Sequence, residues 1–307
     1  MKRIKPKSHS HSYSADRPIQ SKREDLLGRA QFATSLANDI QGWEGNDSLV
    51  IALYGAWGSG KTSVKNILLE RLRMKRTNPL HLVEFNPWQL SGTGGIASSF
   101  FRELGIALRK PGPTGDAEKR AKTWNAYSSL LVLSGTAIKS IGSLLAFSGE
   151  DKTLAVVAAG EGMKALGAAS KEGSEALKAK GESEVKSLHE LKCALATMLT
   201  KLPQPVLVII DDIDRLTTDE ILQVFQLVKA NADFPKVIYL LVFERSVVAK
   251  ALDNVSDGRG SEFLEKIVQV GFHIPHASRR AVHKLLCNRL EALLPSEWVI
   301  WRGFQES

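Results

Sequence analysis

The residues best placed to do chemistry are Gly55, Ala56, Trp57, Gly58, Ser59, Gly60, Lys61 and Thr62, which satisfy the spacing G-x-x-x-x-G-K-[ST]. Glycines there let backbone amides turn inward on phosphate oxygens, and a helix beginning at the loop's end adds a favourable dipole. Lys61 is expected to reach the β- and γ-phosphates of a nucleotide and the Thr62 hydroxyl to hold Mg2+, with Ser63 a further nucleotide-binding residue of the loop. The bland alternative is a glycine-rich turn with a chance Lys-Thr pair. An apolar run before the loop and a helical pattern after it argue for the phosphate loop.

Phosphate chemistry also needs acids. Asp211 ends the apolar run Val206 to Ile210, so its carboxylate is expected at a strand tip, accepting hydrogen bonds from metal-bound water. Asp212 follows and is a candidate to polarise the attacking water, its alternative role being a cap on the next loop. Cations for the γ-phosphate are sought among Arg215, Arg245 and Lys266, with Arg215 first because it adjoins the acids. Each has a plain alternative: an ion pair of Arg215 with Asp214 or Asp219, and a surface position for the other two. No Asn/Thr-Lys-x-Asp pattern that reads guanine follows, so ATP is the expected nucleotide.

Positioning these groups calls for strands that end where the chemistry begins. Leu49 to Tyr54 reads as a buried strand, and Val64, Ile67, Leu68 and Leu72 mark a helix running to about Arg76. A helix over 25–40 precedes them. Leu80 to Phe85 predicts a second strand, stopped by Asn86 and Pro87. The Val206 run is followed by a helix carrying Ile221, Leu222, Phe225 and Val228; Val237 to Phe243 and Ile267 to Ile274 predict two more strands. Strands alternating with helices predict an α/β fold with a parallel sheet covered on both faces, and ligand chemistry at its carboxyl edge.

Composition agrees with a globular chain. It has 307 residues, 43% of them hydrophobic, and a net charge of +8, which excludes collagen-like and acidic-tail classes. Cys193 and Cys287 stand far apart with no secretory signal ahead of them, so a reducing cytoplasmic compartment is expected. Basic charge gathers in residues 1–23, which read as a flexible arm: a solubilising tail, or a contact for nucleic acid or an anionic membrane surface.

Lys61 and Asp211 are further apart than one strand and one helix require, and the excess is residues 111–185. Gly135, Gly142 and Gly149 recur every seven residues there, putting small residues near one helical face. Tyr127 to Phe147 is mostly apolar, and Trp124 and Tyr127 stand at its start as interfacial anchors would. Membrane contact through 124–170 is therefore weighed against a soluble helical hairpin or a small-residue linker; residues 154–169 are too short and polar for a clear second span. Residues 277–293 predict a final helix with Val282, Leu285, Leu286, Leu290 and Leu293 on one face. His273, His276 and His283 have no ligand partners at useful spacing and read as scattered surface and core residues.

Together the motifs resemble the KAP P-loop NTPases, within the STAND branch of signalling ATPases. Leu26, Leu27, Gly28 and Arg29 are similar to the hydrophobic-hydrophobic-Gly-Arg element that lies against the nucleotide base and sugar in STAND proteins. The loop from Tyr54 to Ser63 with its internal Trp57-Gly58, the strand end Glu84 to Trp88, the acidic stretch Asp211 to Arg215, and Phe263 to Phe272 resemble further family segments. The resemblance implies a P-loop core with an additional strand between the phosphate-loop strand and the acidic strand, and a Mg2+-dependent ATPase acting as a conformational switch through self-association or a protein partner. Antiphage defence and membrane-associated signalling are family-level settings. The implied division is a basic arm (1–23), a core in two parts (24–110 and 186–275), a helical Gly/Ala-rich insert (111–185), and a short or truncated start of a helical lid (276–307). Two positions depart from the family pattern: Glu244, where an aspartate is expected and a solvated strand end is the alternative, and Gly271, where a proline is expected and a bulge is the alternative. An ATP-binding interaction scaffold without useful turnover is the competing function.

Overall fold

The structure is a computed structural model that describes residues 17–74, 80–92, 95–109, 117–133, 188–231, 233–254 and 256–293. Five strands form one parallel sheet: β1 (Leu49–Tyr54), β2 (His81–Phe85), β3 (Val206–Ile210), β4 (Val237–Phe243) and β5 (Val270–His273). Their order is β2-β3-β4-β1-β5, so β4 is the additional strand between the phosphate-loop strand and the acidic strand. Every residue of β3 and β4 is buried, as expected for Val/Ile/Leu-rich strands covered on both faces.

Alternation along the strands separates two cores. Ile51, Leu53, Leu207, Ile209, Ile238, Leu240 and Val242 face α1 (Ala30–Gln41) and α2 (Lys61–Met74) in an almost wholly aliphatic layer. The opposite face carries Tyr54, Phe85, Tyr239 and Phe243 and packs against α3 (Ile96–Leu108), α4 (Ala117–Leu133), α5 (residues 188–200), α6 (Thr218–Gln226), α7 (Arg245–Asp253) and α8 (Gly260–Ile267). The last helix among the described residues is α9 (Arg279–Leu293). Register brings Tyr54 level with Phe243, and Phe85 level with Ile210, so the residues after these strands emerge along one sheet edge.

Several expectations are corrected. The helix placed at 25–40 begins at Ala30, because the Asp25 carboxylate accepts from the Leu27 and Ala30 amides and Gly28 turns the chain at φ +77°. Ile267 ends α8 instead of opening a strand. Gly271 is no bulge: its pairing with Ala52 is regular, and a Cβ there would approach the Tyr54 ring to 2.6 Å. The face of α9 is largely exposed at Val282, Leu286 and Leu290.

Trp124 and Tyr127 are not interfacial anchors. They are 1% and 3% exposed, ringed by Phe101 and Phe234, and the Trp124 indole donates to the Phe101 carbonyl at 2.7 Å. An indole with its N–H satisfied in a core has no reason to seek a lipid interface. Among the described residues no helix is long and apolar enough to cross a membrane. The rest of the apolar run to Phe147 and the stretch 154–169 lie outside the described residues, as does most of the 1–23 arm.

Candidate functional site

The site is built where β1 hands over to α2. The Gly55 amide extends the sheet by donating to the Phe243 carbonyl at 3.2 Å, and a turn closes from the Ser59 amide to the Ala56 carbonyl at 3.0 Å. Gly60 stands at φ +85°, and a Cβ there would meet a guanidinium nitrogen of Arg29 at 2.5 Å. That same nitrogen donates to the Ser59 carbonyl, so Arg29 supports the loop backbone, with Gly28 just before it in the chain. The Trp57 amide is held from the far side by Glu244, whose other oxygen accepts from the Ser246 hydroxyl. Glu244 therefore braces the loop and is more than a solvated strand end. Thr62 and Ser63 occupy the first turn of α2, both partly buried.

Lys61 does not lie along its helix. Its ammonium donates to the Gly55 carbonyl at 2.9 Å, folding back over the loop, and to Asp214 Oδ2 at 3.1 Å. The side chains of this pair are 11% and 3% exposed. One turn further along α2, Lys65 meets Asp211 Oδ2 at 2.7 Å, while Asp211 Oδ1 accepts from the Asp212 amide at 2.9 Å.

Asp212 adopts a left-handed conformation, φ 58° and ψ 32°, which turns the chain sharply out of β3 into a short 3-10 turn at Ile213–Arg215. Its Oδ1 meets Arg215 Nε at 2.8 Å and its Oδ2 accepts from Asn86 Nδ2 at 2.8 Å. Arg215 thus pairs with Asp212, not with Asp214 or Asp219, because the 3-10 turn brings positions three apart together. Its guanidinium also lies 5.0 Å from the ring centroids of both Trp57 and Trp88. This cation–π sandwich ties the phosphate loop to the β2 exit. Arg245 turns away to Glu265 at 2.9 Å and Lys266 is exposed on α8, so neither joins this cluster. His273 packs on Tyr54, 5.1 Å between rings, where burial raises the Tyr54 phenol pKa and the Arg245 guanidinium opposes the rise.

The structure gathers Arg29, Gly55 to Ser63, Asp211, Asp212 and Arg215, and adds Asp214, Lys65, Asn86 and Glu244. Of the added residues, Lys65 carried a sequence signal: it stands four positions after Lys61, on the same face of α2. Asp214 carried a weaker one, because its partner depends on the turn at Asp212. Three carboxylates at the β3 exit meet three cations, yet Arg29 Nε, Ser59 Oγ and Asp214 Oδ1 are buried without partners. Unpaired buried donors on Arg29 and Ser59 beside the loop fit an anionic phosphate chain, and a spare buried carboxylate oxygen on Asp214 fits a hydrated divalent cation. Thr62 and Asp211 supply the oxygen donors that Mg2+ takes.

The phage T7 exclusion protein of Escherichia coli (strain K12) is 27% identical over 287 residues, 91% of this chain and 37% of that protein. The chain thus spans well under half the length of this curated relative. Among solved structures, Cdc6p from Pyrobaculum aerophilum overlaps at a TM-score of 0.42 with 14% identity, over 91% of this chain and 52% of the other. A family model described as the KAP family P-loop domain matches residues 29–296. With the loop, the acidic strand end and the strand order in place, the chain belongs to the KAP family of P-loop domains.

Proposed function

We propose that the chain is a Mg2+-dependent ATP-binding and ATP-hydrolysing switch of STAND type, whose nucleotide state is coupled to self-association or to a protein partner. The observation that carries this reading is the 3.1 Å contact of Lys61 with Asp214, which brings the phosphate loop and the acidic strand end together. Phosphate oxygens entering the loop compete with Asp214 for the Lys61 ammonium and are received by the loop amides. Gly28 and Arg29 are assigned to the base and sugar side. Mg2+, held through Thr62 and Asp211, offsets phosphate charge when bound. Water attacks the γ-phosphorus, its proton passes to Asp212, and the bond to the bridging oxygen breaks to leave ADP and inorganic phosphate. Asp212 must first give up a partner, and Arg215, once released, is available to meet charge on the transferring group.

The engaged state of Asp212 also favours a second reading, an ATP-binding scaffold without useful turnover. Single-turnover hydrolysis and ATP binding on wild type, Lys61→Ala and Asp212→Asn separate the two. Hydrolysis lost in both variants, with binding kept in Asp212→Asn, is the expected result for the ATPase; binding with wild-type turnover at background supports the scaffold. The name of the phage T7 exclusion protein motivates a role in antiphage defence, testable by phage plating on cells with and without the chain.

Cytoplasmic residence is the expected setting. Membrane contact, assigned to 124–170, loses Trp124 and Tyr127 to the core, so the deletion that tests it starts beyond residue 133: removing 134–170 should move the protein from membrane to soluble fractions. A nucleic-acid contact rests on the basic arm, and a DNA affinity independent of salt would exclude it.

A further inference from the structure

The mechanism above uses Lys61 and leaves the second lysine of α2 without a task. We infer that Lys65 is a displaceable counter-ion for the metal-binding carboxylate: it holds Asp211 while the metal is away and moves toward Glu84 when the metal arrives. The inference rests on the metal role proposed for Asp211.

Three observations carry it. The Asp211 side chain is 5% exposed and that of Lys65 14%, so the carboxylate is too deep to stand without a compensating cation. Of its two oxygens, Oδ1 is fixed by the Asp212 amide and Oδ2 is the one that Lys65 holds at 2.7 Å. An ammonium there and a divalent cation on the same carboxylate repel each other, so the two are alternatives. Finally, Lys65 has somewhere to go. A cavity of about 250 Å³ lies beside the pair, lined by Lys65, Glu84, Phe85, Asn86, Gln89, Ile209 and Asp211. Glu84 is on its wall, and the side chain is 43% exposed and paired with Arg73 across a solvated contact. Such a surface carboxylate accepts a second cation readily, and the four-carbon stem of a lysine re-aims without moving the helix.

The consequence is a site whose charge is already balanced when empty. Free Mg2+ then gains little by entering alone, and metal binding becomes dependent on the phosphates that draw Lys61 away from Asp214. A merely structural Lys65–Asp211 pair makes a different prediction: its loss destabilises the protein whether or not metal is present.

Thermal unfolding of the full chain distinguishes these. Wild type, Lys65→Met and Lys65→Arg are melted in EDTA and across a Mg2+ titration without nucleotide, then across the same titration with ATP. Wild type and Lys65→Arg should respond little to Mg2+ alone. Lys65→Met should melt lower in EDTA and be restored toward wild type by Mg2+ alone, and with ATP present its half-saturating Mg2+ concentration should fall about tenfold. A deficit that Mg2+ leaves unrepaired, or no deficit at all, overturns the inference. If Lys65→Met folds in neither medium, Glu84→Gln decides: it keeps the Lys65–Asp211 pair and should melt normally in EDTA, yet need about threefold more Mg2+ for the ATP-induced shift. An unchanged Mg2+ requirement there overturns it equally. Rescue of Lys65→Met by Mg2+ needs no ATP, so an absent ATP response in wild type would sink the nucleotide reading separately.

Discussion

Strands β3 and β4 lie side by side, are buried at every residue, and both end in a pair of charges at the same sheet edge, yet the two ends are electrostatically unlike. After β3, Asp211 and Asp214 have side chains 5% and 3% exposed and are matched to Lys65 and Lys61. After β4, Glu244 caps the Trp57 amide, while Arg245 and Glu265 pair with side chains 37% and 72% exposed. Buried charges cannot be left unpaired, so the β3 end can release its cations only when another charge replaces them. Exposed ones exchange with water at little cost. On the function proposed above, the contrast makes β3 the end expected to respond to ligand charge.

The sharpest test removes a cation from the β3 end. Lys61→Ala should abolish ATP-induced stabilisation and, by leaving Asp214 buried and unpaired, cost about 3–5 kcal/mol in denaturant unfolding without nucleotide. Normal stability in that variant would mean Asp214 is hydrated and the contrast between the two ends is smaller than the burial suggests. Next in size is Asp212→Asn, which retains the shape beside Asn86 and Arg215 but cannot take a proton. Single-turnover hydrolysis should fall about 10²–10⁴-fold with ATP binding kept.

A smaller effect is expected at Glu220, which joins the β2 exit to the helix after the acidic turn. Burial alone raises its pKa. The Gly92 and Thr217 amides and the Ser91 and Thr217 hydroxyls more than offset this and hold it below its ordinary 4.5. A carboxylate with a depressed folded pKa stabilises fully above its unfolded value and loses that contribution as pH falls through the folded one. Glu220→Gln should therefore lower stability at neutral pH and flatten the loss of stability below about pH 4.5. An acid limb identical to wild type would mean that the bonds from Ser91, Gly92 and Thr217 to Glu220 do not hold the β2 exit to α6.

How much of this was legible beforehand follows from which interactions are local. The bounds of β1, β3 and β4 are readable because continuous Val/Ile/Leu runs have no other comfortable place than a two-sided core. The phosphate loop is readable because its glycines and lysine act within eight consecutive residues. Trp124 is ambiguous in the sequence because an aromatic residue before an apolar run looks the same at a lipid interface and in a core; Phe101 and Phe234, distant in sequence, decide it. The acids were legible as a cluster, but their partners were not. Asp212 turns left-handed, which sends Arg215 back to Asp212 and leaves Asp214 for Lys61. A one-residue change of backbone region rewires the charges, and periodicity carries no trace of it.

The smallest effect belongs to the β4 end. Arg245→Gln removes the partner of Glu265, but Glu265 is 72% exposed and keeps its hydration, so the change in unfolding free energy should stay within about 1 kcal/mol. ATP-induced stabilisation should be unaltered, because Arg245 pairs with Glu265 on α8 and with the Tyr54 phenol on β1 instead of a residue of the phosphate loop. The control matters because Arg245, like Arg215, directly follows an acid at the carboxyl edge of the sheet. If Arg245→Gln instead lost ATP binding, the guanidinium would have to leave Glu265 and swing to the phosphate loop in the bound state. The β4 end would then be a second reader of nucleotide charge, and exposure in the free protein would no longer separate the end that feels the ligand from the end that does not.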